Sequence, residues 1–454
     1  MGVAGTGMSA LAQFLKGMGK EVSGSDRFFK EGEYNETREK LERCGIRCHP
    51  QDGSGMDGSF DCVVATTAVE DSVPEMVKAR ALGMPVLRRS ELLAMITESF
   101  RTIAVGGTSG KSTTTAMIYE ILCHAGLEPS VISGAGLVRL IEQGLIGNAA
   151  VGSGGWLVIE ADESDGSIVQ YHPAIGLLLN IDKDHKDLDA LERIFITFRE
   201  NSERFCVNAG QPMASRLSKL PSDDFGCIPG GTVGYAATDF VQTGLGIDFR
   251  VNGVPFHLEA IGRHSMENAL AAVTAASLAG VPLETSAEAL AGYRGIHRRH
   301  QVIGSSHGVL LIDDYAHNPV KCARSIQACQ PLADRVIAWF QPHGYGPTKF
   351  LRADFVREIA DVLRPGDQIW MSEIFYAGGT AVKDISAADL IEDLRDRGAD
   401  AHFVEDRNLL ADSVLPHLGR GGVLLLMGAR DPSLEDFSRQ VWRRLQSLLS
   451  HTEG

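Results

Sequence analysis

Lys111 and Ser112 stand at the end of a glycine-rich turn, Gly106-Gly107-Thr108-Ser109-Gly110, just before a helical pattern over 116–125. An apolar run over 103–105 precedes the turn and predicts a buried strand. Strand, turn and helix start together make a pocket for a phosphate chain. Backbone N–H groups point at the anion, the helix dipole favours it, and Lys111 adds a point charge. The Ser112 hydroxyl offers an oxygen to a phosphate-bound Mg²⁺. In the strict phosphate-loop pattern the first glycine lies six residues before the lysine; Val105 stands there, so this turn is one residue shorter. The alternative is an ordinary strand-to-helix turn rich in glycine. The run Lys111-Ser112-Thr113 in that setting favours a nucleotide.

Two more strand ends carry side chains fit to hold a cation. An apolar run over 156–159 ends in Glu160-Ala161-Asp162-Glu163-Ser164-Asp165, four carboxylates in six residues. Such a cluster repels itself unless a cation or solvent screens it. A second run, over 175–179, ends in Asn180-Ile181-Asp182-Lys183-Asp184-His185-Lys186-Asp187. In open α/β sheets, ligands sit at the carboxyl ends of parallel strands. The turn, Glu160 and His185 are therefore expected to converge into a Mg²⁺ site around triphosphate oxygens. Taken singly, Glu160 also reads as a solvated strand-end acid, and His185 as a residue at a helix start.

A second glycine turn opens the chain: Gly2-Val3-Ala4-Gly5-Thr6-Gly7-Met8-Ser9, then a helical run to Met18, then a strand over 22–26 ending in Asp26. A glycine turn with an acid about twenty positions on is the dinucleotide-type pattern. Close helix–strand contact is the alternative. The strand that should precede this turn is almost absent, which predicts a natural start further upstream. The same residues satisfy the N-myristoylation pattern, but the glycine turn is the better use of them.

The elements that must position these residues follow the α/β alternation. The length of 454 residues suggests about three domains, and the pattern divides them at 1–98, 99–298 and 299–454. In the first, 61–68 reads as a strand ending in Thr66, Thr67 and Ala68, with a short strand at 85–87 and a helix over 90–96. In the second, 208–248 reads as irregular, 247–257 as a hairpin, and 262–279 as an alanine-rich helix opening Gly262-Arg263-His264-Ser265-Met266-Glu267-Asn268. The third alternates strands at 309–313, 335–340, 368–373, 401–404 and 423–427 with helices, a doubly wound pattern. Its polar residues gather at strand ends: Asp313-Asp314-Tyr315-Ala316-His317-Asn318, Gln341-Pro342-His343, and Gly428-Ala429-Arg430-Asp431.

Net charge is −15, which argues against a protein that coats nucleic acid. No apolar run approaches the roughly 20 residues that span a bilayer. The eight cysteines are scattered without metal or disulfide spacing, as in a reduced cytoplasm.

With these motifs in order, the chain resembles the Mur ligases, ATP-dependent amino-acid ligases of peptidoglycan synthesis, and most of all their alanine-adding branch. The resemblance runs from Gly2 to about Asp431, through GVAGTGMSALA, GGTSGKSTTTAMI, EADESDGS, NIDKDHKD, GRHSMENALAA, GIHRRHQ, DDYAHNP and FQPH. It implies three α/β domains: a Rossmann-like UDP-sugar domain, a central ATP domain of phosphate-loop type, and a Rossmann-like C-terminal domain. It implies that Gly5, Gly7, Met8 and Ser9 line the UDP diphosphate, with Asp26, Thr66, Thr67 and Ala68 nearby. ATP would be held by Gly107, Thr108, Ser109, Gly110, Lys111, Ser112 and Thr113, with Asn268 at adenine and Arg299 and Asp314 at phosphate and ribose. One Mg²⁺ would be held by Ser112 and Glu160 and a second, shared with the reacting carboxylate, by His185; Lys111, Glu160 and His185 would be catalytic. Tyr315, His317, His343 and Lys349 would shape the amine pocket. The implied partners are a UDP-sugar acid and an amino acid, for a monomer or homodimer without nucleic acid or membrane insertion.

Five positions depart from the family pattern. Ser109 replaces a usual His, Ser112 a usual Thr, and Ser265 a usual Asn. Gly344 and Pro347 stand where the alanine-adding branch has arginines that grip the amino acid's carboxylate, so that fork of donors is missing. Lys349 could stand in as a point charge. The pattern therefore leaves open the same chemistry on another amine or acid, or a non-catalytic UDP-sugar-binding relative.

Overall fold

The computed structural model describes residues 1–66, 69–164, 166–182, 188–227, 232–376, 378, 381–419 and 421–451. The chain forms two compact units. One comprises Met1–Phe240, Phe249–Leu258 and Met266–His297; the other comprises Val241–Asp248, Glu259–Ser265 and Arg298–Gly454.

The first unit begins with the helix Thr6–Gly17 and four short strands, β1 (Ser23–Asp26), β2 (Arg47–Pro50), β3 (Val63–Ala65) and β4 (Val86–Arg88). β1 pairs with β2 and β3 with β4, both parallel. The backbone of the first three residues lies between the two pairs. Gly2 and Val3 N–H donate to Ser25 O at 2.8 and 3.1 Å, and the Met1 ammonium donates to Val64 O at 2.7 Å. The strand missing from the pattern is thus represented by three residues, too few to register as a ladder. β2 was not foreseen, because Arg47-Cys48-His49-Pro50 shows no apolar alternation. The strand expected over 61–68 is limited to β3, and its last two residues lie outside the described residues.

The same unit holds a six-stranded sheet in the order β10-β9-β5-β8-β6-β7. Its strands are β5 (Arg101–Gly106), β6 (Ser130–Ile132), β7 (Ala149–Ala150), β8 (Trp156–Glu160), β9 (Ile175–Leu178) and β10 (Arg204–Val207). All pairs are parallel except β6 with β7. β5, β8 and β9 are buried almost throughout, as near-continuous apolar runs in a two-sided parallel sheet must be. The helix Leu188–Asn201 closes one face with Leu191, Phe195 and Phe198, spaced as one helical stripe. Asn148, 1% exposed, ties this sheet to the first helix. Its Nδ2 donates to Thr6 O at 2.8 Å and Ser9 Oγ at 2.9 Å, and its Oδ1 accepts from Gln13 Nε2 at 2.7 Å.

The stretch read as irregular contains β11 (Phe225–Gly226), which pairs with the start of β12 (Tyr235–Thr243). β12 was missed because polar residues occupy both of its faces. The expected hairpin is present as β13 (Gly246–Val251) and β14 (Val254–Leu258). Its turn is Asn252-Gly253, both left-handed (φ 49° and 88°), as a type I′ turn requires.

The second unit is built on a sheet in the order β15-β16-β20-β17-β18-β19. These are β15 (Gln301–Ser306), β16 (Val309–Asp314), β17 (Val336–Gln341), β18 (Gln368–Met371), β19 (Ala401–Phe403) and β20 (Val423–Gly428). Only β15 runs antiparallel. It is a half-exposed edge strand that the pattern did not mark. Strand order reverses around β20, so the carboxyl ends of β16, β20 and β17 make the crevice where such sheets bind ligands.

Candidate functional site

The anion turn sits between β5 and the helix Lys111–His124. Register places Val105 opposite Glu160 and Gly106 opposite Leu178, so the turn, Glu160 and Asn180 follow three adjacent strand ends. The helix has Gly110 at its N-cap and no side-chain cap, which leaves its first N–H groups for an anion. The first helix, Thr6–Gly17, is likewise uncapped behind Gly5. Gly110 has φ +87°, and a Cβ there would lie 2.4 Å from Asn268 Oδ1. Only glycine fits both the backbone and the neighbour.

Asn180 shapes the turn. Its Oδ1 accepts from Thr108 Oγ1 at 2.8 Å, Ser109 N–H at 2.9 Å and Ser109 Oγ at 3.2 Å, while its Nδ2 donates to Ser109 O at 3.0 Å. Lys111 Nζ donates to Gly107 O at 2.7 Å and Glu163 Oε2 at 2.6 Å, with Asp162 Oδ1 at 3.8 Å. Burial works against the ammonium's charge. Glu163, Asp162 and Glu160 outweigh it and hold Lys111 above its ordinary range. Burial pushes the Glu163 carboxyl up, against the pull of Lys111.

Ser112 Oγ donates to Glu160 Oε2 at 3.0 Å; Ser133 Oγ and Gly134 N–H donate to Oε1 at 2.8 and 2.6 Å. Oε1 is thus fixed by two donors, while Oε2 and the Ser112 oxygen face each other. Two cis ligands of an octahedral Mg²⁺, each about 2.1 Å from the ion, lie about 3.0 Å apart. The residues present therefore fit the ion. His185, expected at a second Mg²⁺, lies outside the described residues, as do Thr67 and Ala68.

At the amino end, Gly5 N–H donates to Gly2 O at 3.1 Å, and Met8 and Ser9 N–H donate to Gly5 O at 3.0 and 2.8 Å. Asp26 holds this turn from behind: Oδ2 accepts from Ala4 N–H at 2.8 Å and Oδ1 from Phe28 N–H at 3.0 Å. The Ser9 hydroxyl is 1% exposed and bonded to Thr6 O and Asn148. Gly7 lies against Arg89, whose Cδ would be 3.2 Å from a Cβ there, and Gly2 lies beside Thr66. Of the residues expected here, Gly5 and Gly7 stand at the uncapped helix start, while Asp26 and Ser9 brace it.

In the second unit, Arg299 lies with its guanidinium 4.9 Å from the Tyr315 ring centre. Its neighbours are fastened on both sides. Arg298 donates to Asp313 at 2.8 and 3.2 Å and to Gly428 O at 3.1 Å. His300 Nε2 is 3.0 Å from Ser325 Oγ, which donates to Asp314 Oδ2 at 2.7 Å. Arg298 and His300 are both left-handed, at φ 55° and 44°. Asp314 is 5% exposed and engaged by Ser325, so a ribose contact needs that hydroxyl to yield. Burial favours the neutral acid of Asp314, but His300 and Arg299 outweigh it and lower its pKa.

Tyr315, His317 and His343 form one row, with ring centres 5.7 and 5.8 Å apart. Lys349 is exposed and ion-paired to Asp384. Gly344 has φ +72° and donates its N–H to Phe375 O at 2.8 Å, an environment that disfavours arginine. Beyond it, Lys383 stands 5.9 Å from the Tyr345 ring centre and 5.3 Å from that of Tyr376. Sequence reasoning missed Asn180, Glu163 and Lys383. Asn180 and Glu163 could have been marked as the polar residues next to the chosen motifs; nothing in the sequence brings Lys383 to Tyr376.

Fold and site define a nucleotide-dependent α/β enzyme whose anion turn and carboxylate cluster share one sheet edge. Comparison with known proteins narrows this. Residues 1–101 match the Mur ligase family catalytic domain, 105–276 the Mur ligase middle domain, and 298–430 the Mur ligase glutamate ligase domain. A UDP-N-acetylmuramate–L-alanine ligase of Synechococcus sp. (strain RCC307) is 33% identical, over 98% of this chain and 95% of that protein. One from Acidithiobacillus ferrooxidans (strain ATCC 53993 / BNL-5-31) is 34% identical over 94% of each. The crystal structure of UDP-N-acetylmuramate-alanine ligase from Thermotoga maritima superposes with TM-score 0.79 at 27% identity, covering 98% of both chains. A murein peptide ligase from Psychrobacter arcticus shares the fold, with TM-score 0.66 at 20% identity, over 98% of this chain and 97% of that one. The chain belongs to the Mur ligase family. It is an ATP-dependent ligase of peptidoglycan precursor synthesis, built of three Mur ligase domains.

Proposed function

We propose that this ligase joins the carboxylate of a UDP-N-acetylmuramate-type acid to L-alanine or a close relative through an acyl phosphate. The convergence of Lys111, Ser112 and Glu160 at adjacent strand ends carries the reading. The acid's carboxylate attacks the γ-phosphate; ADP leaves and a mixed anhydride forms. The amine then attacks the acyl carbon and inorganic phosphate departs. Lys111 and the helix N–H groups after Gly110 offset charge on the transferring phosphate. A Mg²⁺ held by Ser112 and Glu160, and a second expected at His185, would supply further charge neutralisation there. Asn268 beside Gly110 is assigned to adenine, and Arg299 to phosphate. The uncapped start of Thr6–Gly17, with Gly5, Gly7 and Met8, is assigned to the UDP diphosphate, within the boundaries 1–98, 99–298 and 299–454. Tyr315, His317 and His343 line the amine's approach. No described helix is long and apolar enough to cross a membrane; we place the enzyme in the cytoplasm, as a monomer or homodimer.

A second reading keeps the chemistry and changes the amine. Gly344 and Pro347 offer no carboxylate fork, and Lys349 supplies only a point charge, paired at the surface with Asp384. Phosphate release from ATP with UDP-N-acetylmuramate, with and without each of a panel of amino acids and peptides, followed by product mass, tests both. Release only with L-alanine supports the first reading; release only with another amine supports the second.

A further inference from the structure

Glu163 has no part in the reaction above, yet it makes the shortest contact to Lys111. Its side chain is 5% exposed, against 15% for Lys111. Glu163 at 2.6 Å and Gly107 O at 2.7 Å together fix the direction of the ammonium. Lys111 and Asp162 are two charges that face Glu163, and Asp162 is itself 42% exposed. A phosphate chain entering the turn brings its own negative charge to the same ammonium. Two anions on one buried cation repel strongly at low dielectric. The carboxylate, already unfavourably buried, is the one that can be neutralised by a proton.

We propose that Glu163 is a positioning residue of the nucleotide site: it fixes the Lys111 ammonium at the turn, yields it to the phosphate when ATP binds, and takes up a proton from solvent as it does so. The inference rests on the reading of Lys111 as the phosphate-binding lysine. The exchange is one carboxylate plus one proton giving one carboxylic acid, so at most one proton is bound per ATP. Separation from Lys111 raises the carboxyl's proton affinity further, so the complex favours the protonated form. ATP binding therefore weakens as pH rises through the carboxyl's range, which lies above its ordinary value of 4.5.

Calorimetric titration of the full chain with Mg-ATP, in two buffers of different ionisation enthalpy, counts the protons. The wild type is expected to take up more protons at pH 7 than the nucleotide's own titration supplies, and Glu163→Gln no more than that. Glu163→Gln should bind ATP several-fold more tightly than wild type at alkaline pH, with the gap closing as pH falls into the carboxyl's range. Glu163→Asp, which keeps the charge, should restore the pH slope. Equal proton counts and slopes in wild type and Glu163→Gln would overturn the proposal, as would weaker binding by Glu163→Gln at every pH. If that variant does not fold, a wild-type count no larger than the nucleotide's own overturns it alone. A wild type that binds no ATP sinks the reading of the site itself, a separate outcome.

Discussion

Ser112 Oγ and Glu160 Oε2 stand 3.0 Å apart across the ends of the anion turn and β8, with the other carboxylate oxygen pinned by Ser133 and Gly134. That pinning leaves one oxygen to offer, aimed at the serine. Glu160→Gln should raise the Mg²⁺ concentration for half-maximal rate at least tenfold and cut kcat/KM for ATP about 100-fold. Initial rates against free Mg²⁺ check this. An unchanged Mg²⁺ requirement would remove Glu160 from the ion.

Asn180 gives the turn three acceptor contacts and one donor contact. Asn180→Asp keeps the acceptor and loses the donor, but sets a negative charge where phosphate arrives. ATP affinity should therefore fall further in Asn180→Asp than in Asn180→Ala, with Asn180→Ala losing about tenfold. The reverse order would mean that the amide serves folding alone.

Gly110→Ala meets two obstacles, a left-handed backbone worth about 1–2 kcal/mol and the Asn268 oxygen 2.4 Å from the new Cβ. The variant should lower the melting temperature and weaken ATP binding. Asn268→Ala in the same chain should recover the steric part of the stability loss and leave the backbone part. Strict additivity of the two substitutions would refute the contact.

Arg298 and Arg299 are adjacent and have separable tasks. Arg298 and Asp313 are a buried fork-to-carboxylate pair, with side chains 10% and 2% exposed. Arg298→Ala leaves that acid unpaired and should cost about 3–5 kcal/mol. Arg299→Ala should keep the melting temperature within a few degrees and lower ATP turnover. Thermal melts and steady-state rates on both variants decide it; matching losses in both readouts would merge the two roles.

Burial and the neighbouring His300 push the His264 imidazole down to about 3. Its unfolded value is about 6.5, so the unfolded chain binds the extra proton first. This contribution is intact above about pH 6.5 and is lost as pH falls toward 3, at no more than about 1.4 kcal/mol per pH unit. Melting temperature should drop over that window in the wild type, and less steeply in His264→Asn. Parallel curves would show that His264 is solvated.

Most of the reacting geometry was legible because it is local. Lys111, Ser112 and Glu160 each follow a strand end, and parallel strands deliver their ends to one edge. Asn180 and Glu163 sat in the same runs but were passed over, since their partners lie 71 and 52 residues away. The small strands were hidden for another reason. Arg47–Pro50 and Tyr235–Thr243 are half-solvated, so burial imposes no alternation on them. The amine end was least legible. Lys349 pairs with Asp384, 35 residues on, a partner that no local pattern reveals.

Asn148 lies on a strand edge of the ATP-binding sheet, but its amide is spent on the helix behind the amino-terminal glycine turn. A single buried side chain thus fastens the helix Thr6–Gly17 to the six-stranded sheet, and the two are expected to melt together. Differential scanning calorimetry of such a chain would register 1–297 as one endotherm, and backbone amides at the start of the first helix would exchange deuterium no faster than that cooperative event allows.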